Sequence, residues 1–166
     1  YEFENIRCVR PSVVHVANDI YAIAYRGSGE DGFVSTVEIA PDGTITPFTI
    51  STYEFYGADI YFPEITQITA DVYAISYTLR STYDGYIRTL RIQSDGTIVP
   101  AIIDTSLYDN DRGYRARMIH VNGTIYALFY ESWDHDGHIR TVQIQDDGQI
   151  TSDWKSGGHY YMDDLE

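Results

Sequence analysis

The sequence has little cysteine and almost no lysine, and each shortage excludes a class of protein. The single cysteine, Cys8, cannot form a disulfide within the chain, which excludes a disulfide-stabilised scaffold. We interpret Cys8 as a half-buried small residue, with an interchain disulfide as the alternative. Lys155 is the only lysine among 11 basic residues, against 25 acidic ones. The net charge of −14 argues against partners such as nucleic acid or anionic membranes.

Long apolar runs and catalytic motifs are also missing. No stretch of about 20 apolar residues occurs, so membrane insertion is not expected. The sequence starts at Tyr1 without a methionine or a signal peptide, which indicates a processed product, an engineered chain or an excerpt. Nucleophile elbow, Walker loop, HExxH and CxxC motifs are absent. We therefore expect that the protein is not an enzyme.

The sequence instead contains one unit three times. A tyrosine closes the phrases IYAIAY, VYAISY and IYALFY, and a glycine lies in the turns PDGTI, SDGTI and DDGQI. These residues are Tyr25, Tyr77 and Tyr130, and Gly43, Gly96 and Gly148. A fixed period of about 50 residues is typical of a repeated supersecondary unit.

Each repeat predicts four short strands. In the first repeat they cover 12–16, 20–25, 33–40 and 44–50. β-branched and aromatic residues are enriched, and apolar residues do not recur at helical spacing. Asn18-Asp19 is a tight turn of the kind that joins antiparallel strands. Strand 20–25 is apolar on both faces, which is typical of a strand that is covered on both sides.

Such a meander predicts a β-propeller, in which like sheets pack face to face around an axis. A three-layer β-solenoid is the alternative, although its coils usually need fewer residues. We predict an all-β propeller segment of three four-stranded antiparallel blades in one domain, residues 1–166. The blades are expected at about 11–52, 63–105 and 116–155, with linkers at 1–10, 53–62, 106–115 and 156–166.

Three blades cannot close a ring, because known propellers have about four to eight. The two terminal blades are therefore expected to expose apolar faces. We expect copies of the chain to cover them. A dimer would make a six-bladed ring. If the rotation from one copy to the next does not close the ring, the copies would instead form a filament. The alternative is an excerpt of a longer natural or designed repeat protein whose other blades are absent.

The repeated phrases resemble a known group of propeller repeats. The pattern Y-x-I-x-Y, a short loop, D-G-aromatic and T-[VL]-x-I-x-x-D-G-x-I spans 20–45, 72–98 and 125–150 with small departures. It resembles β-propeller repeats of secreted and cell-surface proteins of archaea and bacteria, which often accompany carbohydrate-binding or adhesive domains. The resemblance implies an extracellular or cell-surface location and a scaffold or recognition role. It implies no catalytic residues.

The loops between the second and third strands hold the candidate ligand-binding residues. Their aromatic, carboxylate and imidazole side chains suit a sugar, because rings stack on C–H faces and polar groups bind hydroxyls. The candidates are Asp31 in the first loop, Tyr83 and Asp84 in the second, and Trp133, Asp134, His135, Asp136 and His138 in the third. The alternative is that Asp-Gly simply forms the turn in each repeat.

Calcium is the one candidate ion, although no cofactor is required. Asp109 and Asp111 have the D-x-D-x-G spacing of a calcium loop but lack its glutamate at the twelfth position, so a solvated acidic loop is the alternative. His15, Gln67 and His120 occupy equivalent positions of the first strands. We expect them to line the central channel.

The sequence thus favours a non-catalytic structural module that assembles with copies of itself outside the cell. A lectin-like module that binds a glycan through its loops is the alternative. A glycosidase-like enzyme is a third interpretation, but its carboxylate pair would normally be drawn from several dissimilar blades. The sequon Asn122-Gly123-Thr124 is compatible with glycosylation, and equally with a turn.

Overall fold

A computed structural model of the chain describes residues 1–133 and 135–151. Within these residues the chain forms three four-stranded antiparallel sheets. The first sheet contains β1 (Val9–Ala17), β2 (Ile20–Arg26), β3 (Gly32–Glu38) and β4 (Ser51–Tyr56). The second contains β5 (Ile60–Gln67), β6 (Val72–Leu79), β7 (Gly85–Ile92) and β8 (Ile98–Asp109). The third contains β9 (Tyr114–Asn122), β10 (Ile125–Glu131), β11 (Gly137–Ile144) and β12 (Ile150–Thr151).

Each sheet is a meander, because its strands lie side by side in chain order. Tight turns such as Asn18-Asp19, where Asn18 has a φ of 50°, join the first two strands. Helical structure in the described residues is limited to one 3-10 turn, Ser28–Glu30. None of the described residues belongs to a helix long and apolar enough to span a membrane. The prediction of an all-β segment with three four-stranded antiparallel blades is confirmed.

The fourth strand of the first sheet differs from the prediction. A strand was expected at 44–50, but this segment is irregular apart from a single bridge between Ile39 and Ile45. Pro47 lacks a backbone N–H and weakens any ladder there. Strand β4 begins only at Ser51 and pairs with β3. Much of the segment expected to be the linker 53–62 is therefore strand, and 57–59 alone separates β4 from β5.

The sheets stack face to face through two apolar layers. We call the side of each sheet that carries the repeated alanine, which is Ala22, Ala74 or Ala127, its forward face, and the opposite side its receiving face. The forward face of the first sheet packs on the receiving face of the second, and the second packs on the third in the same way. The first layer includes Val16, Ala24, Val34, Ile65, Tyr73, Ile75 and Leu90. The second includes Ile87, Tyr108, Met118, Leu128, Tyr130 and Val142.

The same polar contact closes both layers. The hydroxyl of Thr36, on β3, donates to the carbonyl of Gly96 in the Asp-Gly turn of the second sheet at 2.6 Å. Thr89, on β7, donates to the carbonyl of Gly148 in the third sheet at the same distance. Both threonines are fully buried. Because buried carbonyls need partners, each contact fixes the register of one sheet on the next.

A second pair of contacts repeats at the outer edge of the layers. The backbone N–H of Ile98 donates to the hydroxyl of Ser51, and that of Ile150 donates to the carboxylate of Asp104 at 2.8 Å. Arg140 donates to the carbonyl of Tyr108 at 2.6 Å, as Arg88 does to that of Phe55. The two junctions between sheets are therefore built alike.

Candidate functional site

The loops between the second and third strands, 27–31, 80–84 and 132–136, lie at one end of the stack and are called the hairpin loops. Their Asp-Gly sequences form the turns, because the carbonyls of Asp31, Asp84 and Asp136 accept the N–H groups of Gly27, Leu79 and Ser132 at 2.8–3.0 Å. The preceding residue has a positive φ in every loop: 71° at Glu30, 66° at Tyr83 and 69° at His135. These contacts give the recurring aspartates a backbone role in turn formation.

The third hairpin loop presents an exposed indole beside an ion-pair cluster. Trp133 is 62% exposed, and its carbonyl accepts a hydrogen bond from Arg112 at 3.2 Å. Glu131 contacts Arg112, Arg115 and His135, at 3.3, 3.0 and 2.8 Å. The candidate residue Asp134 lies outside the described residues. The structure therefore brings Trp133 and His135 to the same cluster.

His138 packs beside a tyrosine of the neighbouring strand. It belongs to β11, and its ring is 5.5 Å from the ring of Tyr130. The first loop holds a separate ion-pair group, in which Glu30 contacts Arg7 at 2.7 Å and Arg26 at 2.8 Å. The eight candidate ligand-binding residues are thus spread over three loops and a strand, and their role in binding stays a prediction.

Aromatic residues in the segments predicted to be linkers connect the hairpin loops to the first strands. The ring of Tyr114, at the start of β9, lies 5.5 Å from Tyr83 and 5.2 Å from Phe62. The guanidinium of Arg112 lies 4.3 Å from the centre of the Tyr114 ring. Aromatic and cationic groups at this spacing attract one another. Tyr83 is therefore held by the start of the next sheet's first strand.

Asp109 has a structural role that uses both of its carboxylate oxygens. One oxygen accepts the backbone N–H groups of Asp111 and Arg112, at 2.9 Å each. The other accepts the hydroxyl of Tyr130 at 2.9 Å. Burial raises the pKa of Tyr130, and the Asp109 carboxylate raises it further, so this hydroxyl remains a donor at neutral pH. Asp111 is exposed.

No group of three or more His, Cys, Asp and Glu side chains is placed to hold a metal within residues 1–133 and 135–151. The calcium site suggested for Asp109 and Asp111 stays a prediction. Occupying it would require Asp109 to exchange hydrogen bonds that it already makes for bonds to the ion.

The three expected channel residues share one arrangement on the first strands. His15 contacts the carbonyl of Asn18 at 2.7 Å, and His120 contacts that of Gly123 at 2.9 Å. Gln67 donates to the hydroxyl of Tyr73 at 3.1 Å. All three side chains are exposed. Their contacts brace the turn between the first two strands, and a channel-lining role stays a prediction.

A cavity of about 390 Å³ opens where the first strands of the three sheets begin, at the end that carries the hairpin loops. Its lining is Arg10, Pro11, Phe62, Pro63, Glu64, Arg115, Ala116 and Arg117. This volume lies within the range of small-molecule sites, about 300–1,000 Å³. The cavity was not predicted from the sequence, because Arg10, Phe62 and Arg115 lie in segments that were expected to be linkers.

A repeated irregularity places three of these side chains. Arg10, Phe62 and Arg115 have φ values of 54°, 52° and 53°. In each sheet three residues of the first strand span two residues of the second at this point, which defines a β-bulge. The sequence does contain a signal for this site. When the three repeats are aligned, Arg10, Phe62 and Arg115 share one position, directly before Pro11, Pro63 and Ala116.

The charges around the cavity are mainly positive. The guanidinium groups of Arg10 and Arg115 lie 4.3 and 5.3 Å from the centre of the Phe62 ring. Arg117 forms an ion pair with Glu64. Arg115 pairs with Glu131, whereas Arg10 forms no ion pair within the described residues. A site with this composition is suited to an anion.

No described residue covers the forward face of the third sheet. Ile119, Val121, Phe129 and Ile139 are 52%, 55%, 39% and 62% exposed. The equivalent positions of the first sheet, Val14, Val16, Ala24 and Val34, pack against the second sheet. Thr141, equivalent to Thr36 and Thr89, makes no side-chain hydrogen bond to the described residues.

The receiving face of the first sheet is partly open. Val13 and Ile45 are 64% and 43% exposed. A Cβ added to Gly43, in the first Asp-Gly turn, would meet no described atom within 4 Å, whereas one on Gly96 would lie 3.0 Å from Ile50. The segment 1–7 covers part of this face, because Phe3 packs edge-on against Tyr25.

Comparison with known proteins identifies the fold. No protein-family model and no curated protein matches the sequence. The subtype N10 neuraminidase-like protein of A/little yellow-shouldered bat/Guatemala/060/2010 matches the structure with a TM-score of 0.54 and 9% identity, over 87% of this chain and 43% of that one. The α-L-arabinofuranosidase from Lactobacillus brevis matches with a TM-score of 0.51 and 9% identity, over 87% and 51%.

The chain thus spans about half the length of either of these proteins. At 9% identity the likeness shows the fold alone, and it does not support the affiliation with archaeal or bacterial surface repeats. The chain is a β-propeller segment. This conclusion rests on its three four-stranded sheets, which stack face to face, and on the structural match to the neuraminidase-like protein.

Proposed function

We propose that the chain is a non-catalytic β-propeller module that completes its ring by binding a second copy of itself. One observation carries this proposal: a forward face is open at one end of the stack, and a receiving face is partly open at the other. Both face types are already paired twice within the chain. A forward face of one copy can therefore pack on the receiving face of another by the same rules.

The polar contact of the junction supports this pairing. Thr36 and Thr89 each donate to a glycine carbonyl of the next sheet. Thr141 is the next threonine in this series, and Gly43 is the corresponding turn glycine of the first sheet. In the proposed assembly the hydroxyl of Thr141 donates to the carbonyl of Gly43 of the other copy.

The apolar composition of the open face also supports an interface. Ile119, Phe129 and Ile139 lie next to one another on neighbouring strands, because Phe129 pairs directly with Ile139 and Ala127 pairs with Ile119. Contiguous exposed apolar patches mark interaction sites on proteins. Two copies would make two identical junctions. If the rotation per copy does not close the ring, the same contact extends into a filament.

The junction between copies would lack one contact that both internal junctions contain. Arg88 and Arg140 reach the carbonyl of an aromatic residue in the preceding sheet. The equivalent residue in the first sheet is Ser35, which instead hydrogen bonds to Tyr25 and Thr52. The proposed intermolecular junction is thus more apolar and lacks this arginine contact.

The acidic residues near the cavity favour a non-catalytic module. Glu64 is engaged by Arg117, and Glu131 is engaged by Arg112, Arg115 and His135. A glycosidase needs two carboxyl groups free to act on the scissile bond from either side. A location outside the cell is part of the proposal and rests on the resemblance of the repeats.

Binding of a glycan by the hairpin loops is the second candidate function. The exposed Trp133, beside Arg112, offers a flat ring for stacking. Binding on a glycan array that Trp133→Ala abolishes would support it. Turnover of chromogenic glycosides that depends on Glu64 or Glu131 would contradict the proposal of a non-catalytic module.

The solution mass tests self-assembly. We expect about twice the chain mass of 18.9 kDa by mass photometry or light scattering. Phe129→Glu places a charge in the open forward face and should yield monomers that remain folded. Leu107→Glu is the matched control, because Leu107 is 41% exposed on β8, the outer strand of the middle sheet.

Two results would contradict the proposal. One is a wild-type protein that stays at 18.9 kDa at micromolar concentrations. The other is an assembly whose mass does not change in the Phe129→Glu variant. A mass far above twice that of the chain, reduced to the monomer by Phe129→Glu, would support the filament form of the same contact.

A further inference from the structure

Three side chains from equivalent positions of the three sheets converge on the cavity at the start of the first strands. Arg10, Phe62 and Arg115 each occupy the bulge of their strand with a φ near +53°. Non-glycine residues rarely adopt this conformation, and bulges often redirect a side chain beside a binding site. The repetition of this costly conformation in all three sheets indicates that it serves the cavity.

We propose that this cavity binds a small organic monocarboxylate, with the guanidinium groups of Arg10 and Arg115, both beside the ring of Phe62, as donors to the carboxylate. Both guanidinium groups lie within 5.3 Å of the centre of that ring, although Arg10 belongs to the first sheet and Arg115 to the third. Arginine presents a planar set of donors that matches a carboxylate. Both side chains are exposed and accessible to a ligand.

The charge of the lining selects an anion. Three arginines and one glutamate line the cavity, on a protein whose net charge is −14. Arg10 pairs with no carboxylate of the described residues, and its only charge-related contact there is with the Phe62 ring. The uncompensated positive charge therefore attracts an anion to this position.

The remaining lining residues narrow the ligand to a monocarboxylate with a carbon body. Glu64 is part of the lining and repels a dianion such as phosphate more than a single negative charge. Pro11, Phe62, Pro63 and Ala116 provide apolar contacts that a bare oxyanion would not use. The contact between Arg117 and Glu64 shows that a carboxylate fits an arginine in this place.

This inference does not depend on self-assembly, because every lining residue comes from one chain. The cavity also differs from the sugar site considered for the hairpin loops, since none of Tyr83, Trp133 and His135 lines it. The monomeric Phe129→Glu variant should therefore still bind the ligand.

Isothermal titration calorimetry with D-glucuronate tests the proposal, with D-glucose as the neutral analogue and inorganic phosphate as the bare oxyanion. We expect saturable 1:1 binding of glucuronate and no binding of glucose. Arg10→Gln and Arg115→Gln should each weaken binding about tenfold or more, since each removes a charge-assisted hydrogen bond. Both residues are exposed, so circular dichroism should show an unchanged fold.

Arg91→Gln is the matched control. Arg91 pairs with Asp71 at the opposite end of the stack, and the substitution changes the net charge by the same amount. Glucuronate binding should be unchanged in this variant. The proposal would be overturned by a lack of saturable glucuronate binding, by equal losses in Arg91→Gln and Arg10→Gln, or by tighter binding of phosphate than of glucuronate.

Discussion

At the scale of single residues, Asp109 shows how one buried carboxylate organises a connection between sheets. It is 6% exposed and accepts two backbone N–H groups and the Tyr130 hydroxyl. Tyr130 belongs to the third sheet, whereas Asp109 ends the last strand of the second. The residue therefore shapes the connecting segment and ties the two sheets together.

We expect Asp109→Ala to lower the free energy of unfolding by roughly 3 kcal/mol, because it leaves the hydroxyl of Tyr130 and two N–H groups without their acceptor. Urea denaturation measures this change. Asp111→Ala is the control and should cost less than about 0.5 kcal/mol, since Asp111 is exposed. Calcium that stabilises the wild type but not Asp111→Ala would instead support the ion site.

At the scale of elements, the junction between sheets depends on the pairing of a strand threonine with a turn carbonyl. Thr36 and Thr89 lie at the centre of the third strands and are fully buried. Their partners, Gly96 and Gly148, have φ values of 87° and 93°, which only glycine adopts readily. Each junction therefore joins the third strand of one sheet to the Asp-Gly turn of the next sheet.

We expect Thr89→Val to destabilise the protein by about 1–2 kcal/mol, because the isosteric valine leaves the Gly148 carbonyl without its donor. Thr141→Val is the matched variant, because Thr141 occupies the position of Thr89 in the third sheet. Chemical denaturation of the monomeric Phe129→Glu background should show no loss for Thr141→Val. Equal losses for both variants in that background would show that Thr141 has an intramolecular partner.

At the scale of the whole molecule, the stack has a repeating interior and two unlike ends. The interior layers are closed by apolar packing and by polar contacts that recur from junction to junction. Among the described residues, the ends are an open forward face on the third sheet and a partly open receiving face on the first sheet, which the proposed assembly would pair. Self-association is the simplest way to bury both faces.

Thermal stability should therefore depend on protein concentration. A folded assembly that binds copies of itself gains stability by mass action, so Tm should rise by several degrees between about 1 and 100 μM. Differential scanning calorimetry measures the rise, and Phe129→Glu should abolish it. A Tm that is the same at all concentrations in the wild-type protein would contradict the assembly.

The repeat, the three sheets and most strands were predictable from the amino-acid sequence, because they follow from local patterns. Alternating apolar residues such as those of 20–25 and turns such as Asn18-Asp19 act over a few residues. The fourth strand at Ser51 was misplaced, because the choice between two β-compatible segments depends on pairing with β3.

The cavity became visible only in the folded chain, whereas exposed apolar faces on the two terminal blades were already expected from the number of repeats. Arg10, Phe62 and Arg115 are about 52 residues apart in the chain, and a bulge in each sheet brings them together. A pattern of single residues does not encode that convergence. It arises because three similar sheets stack with the starts of their first strands at the same end, so that equivalent positions become neighbours.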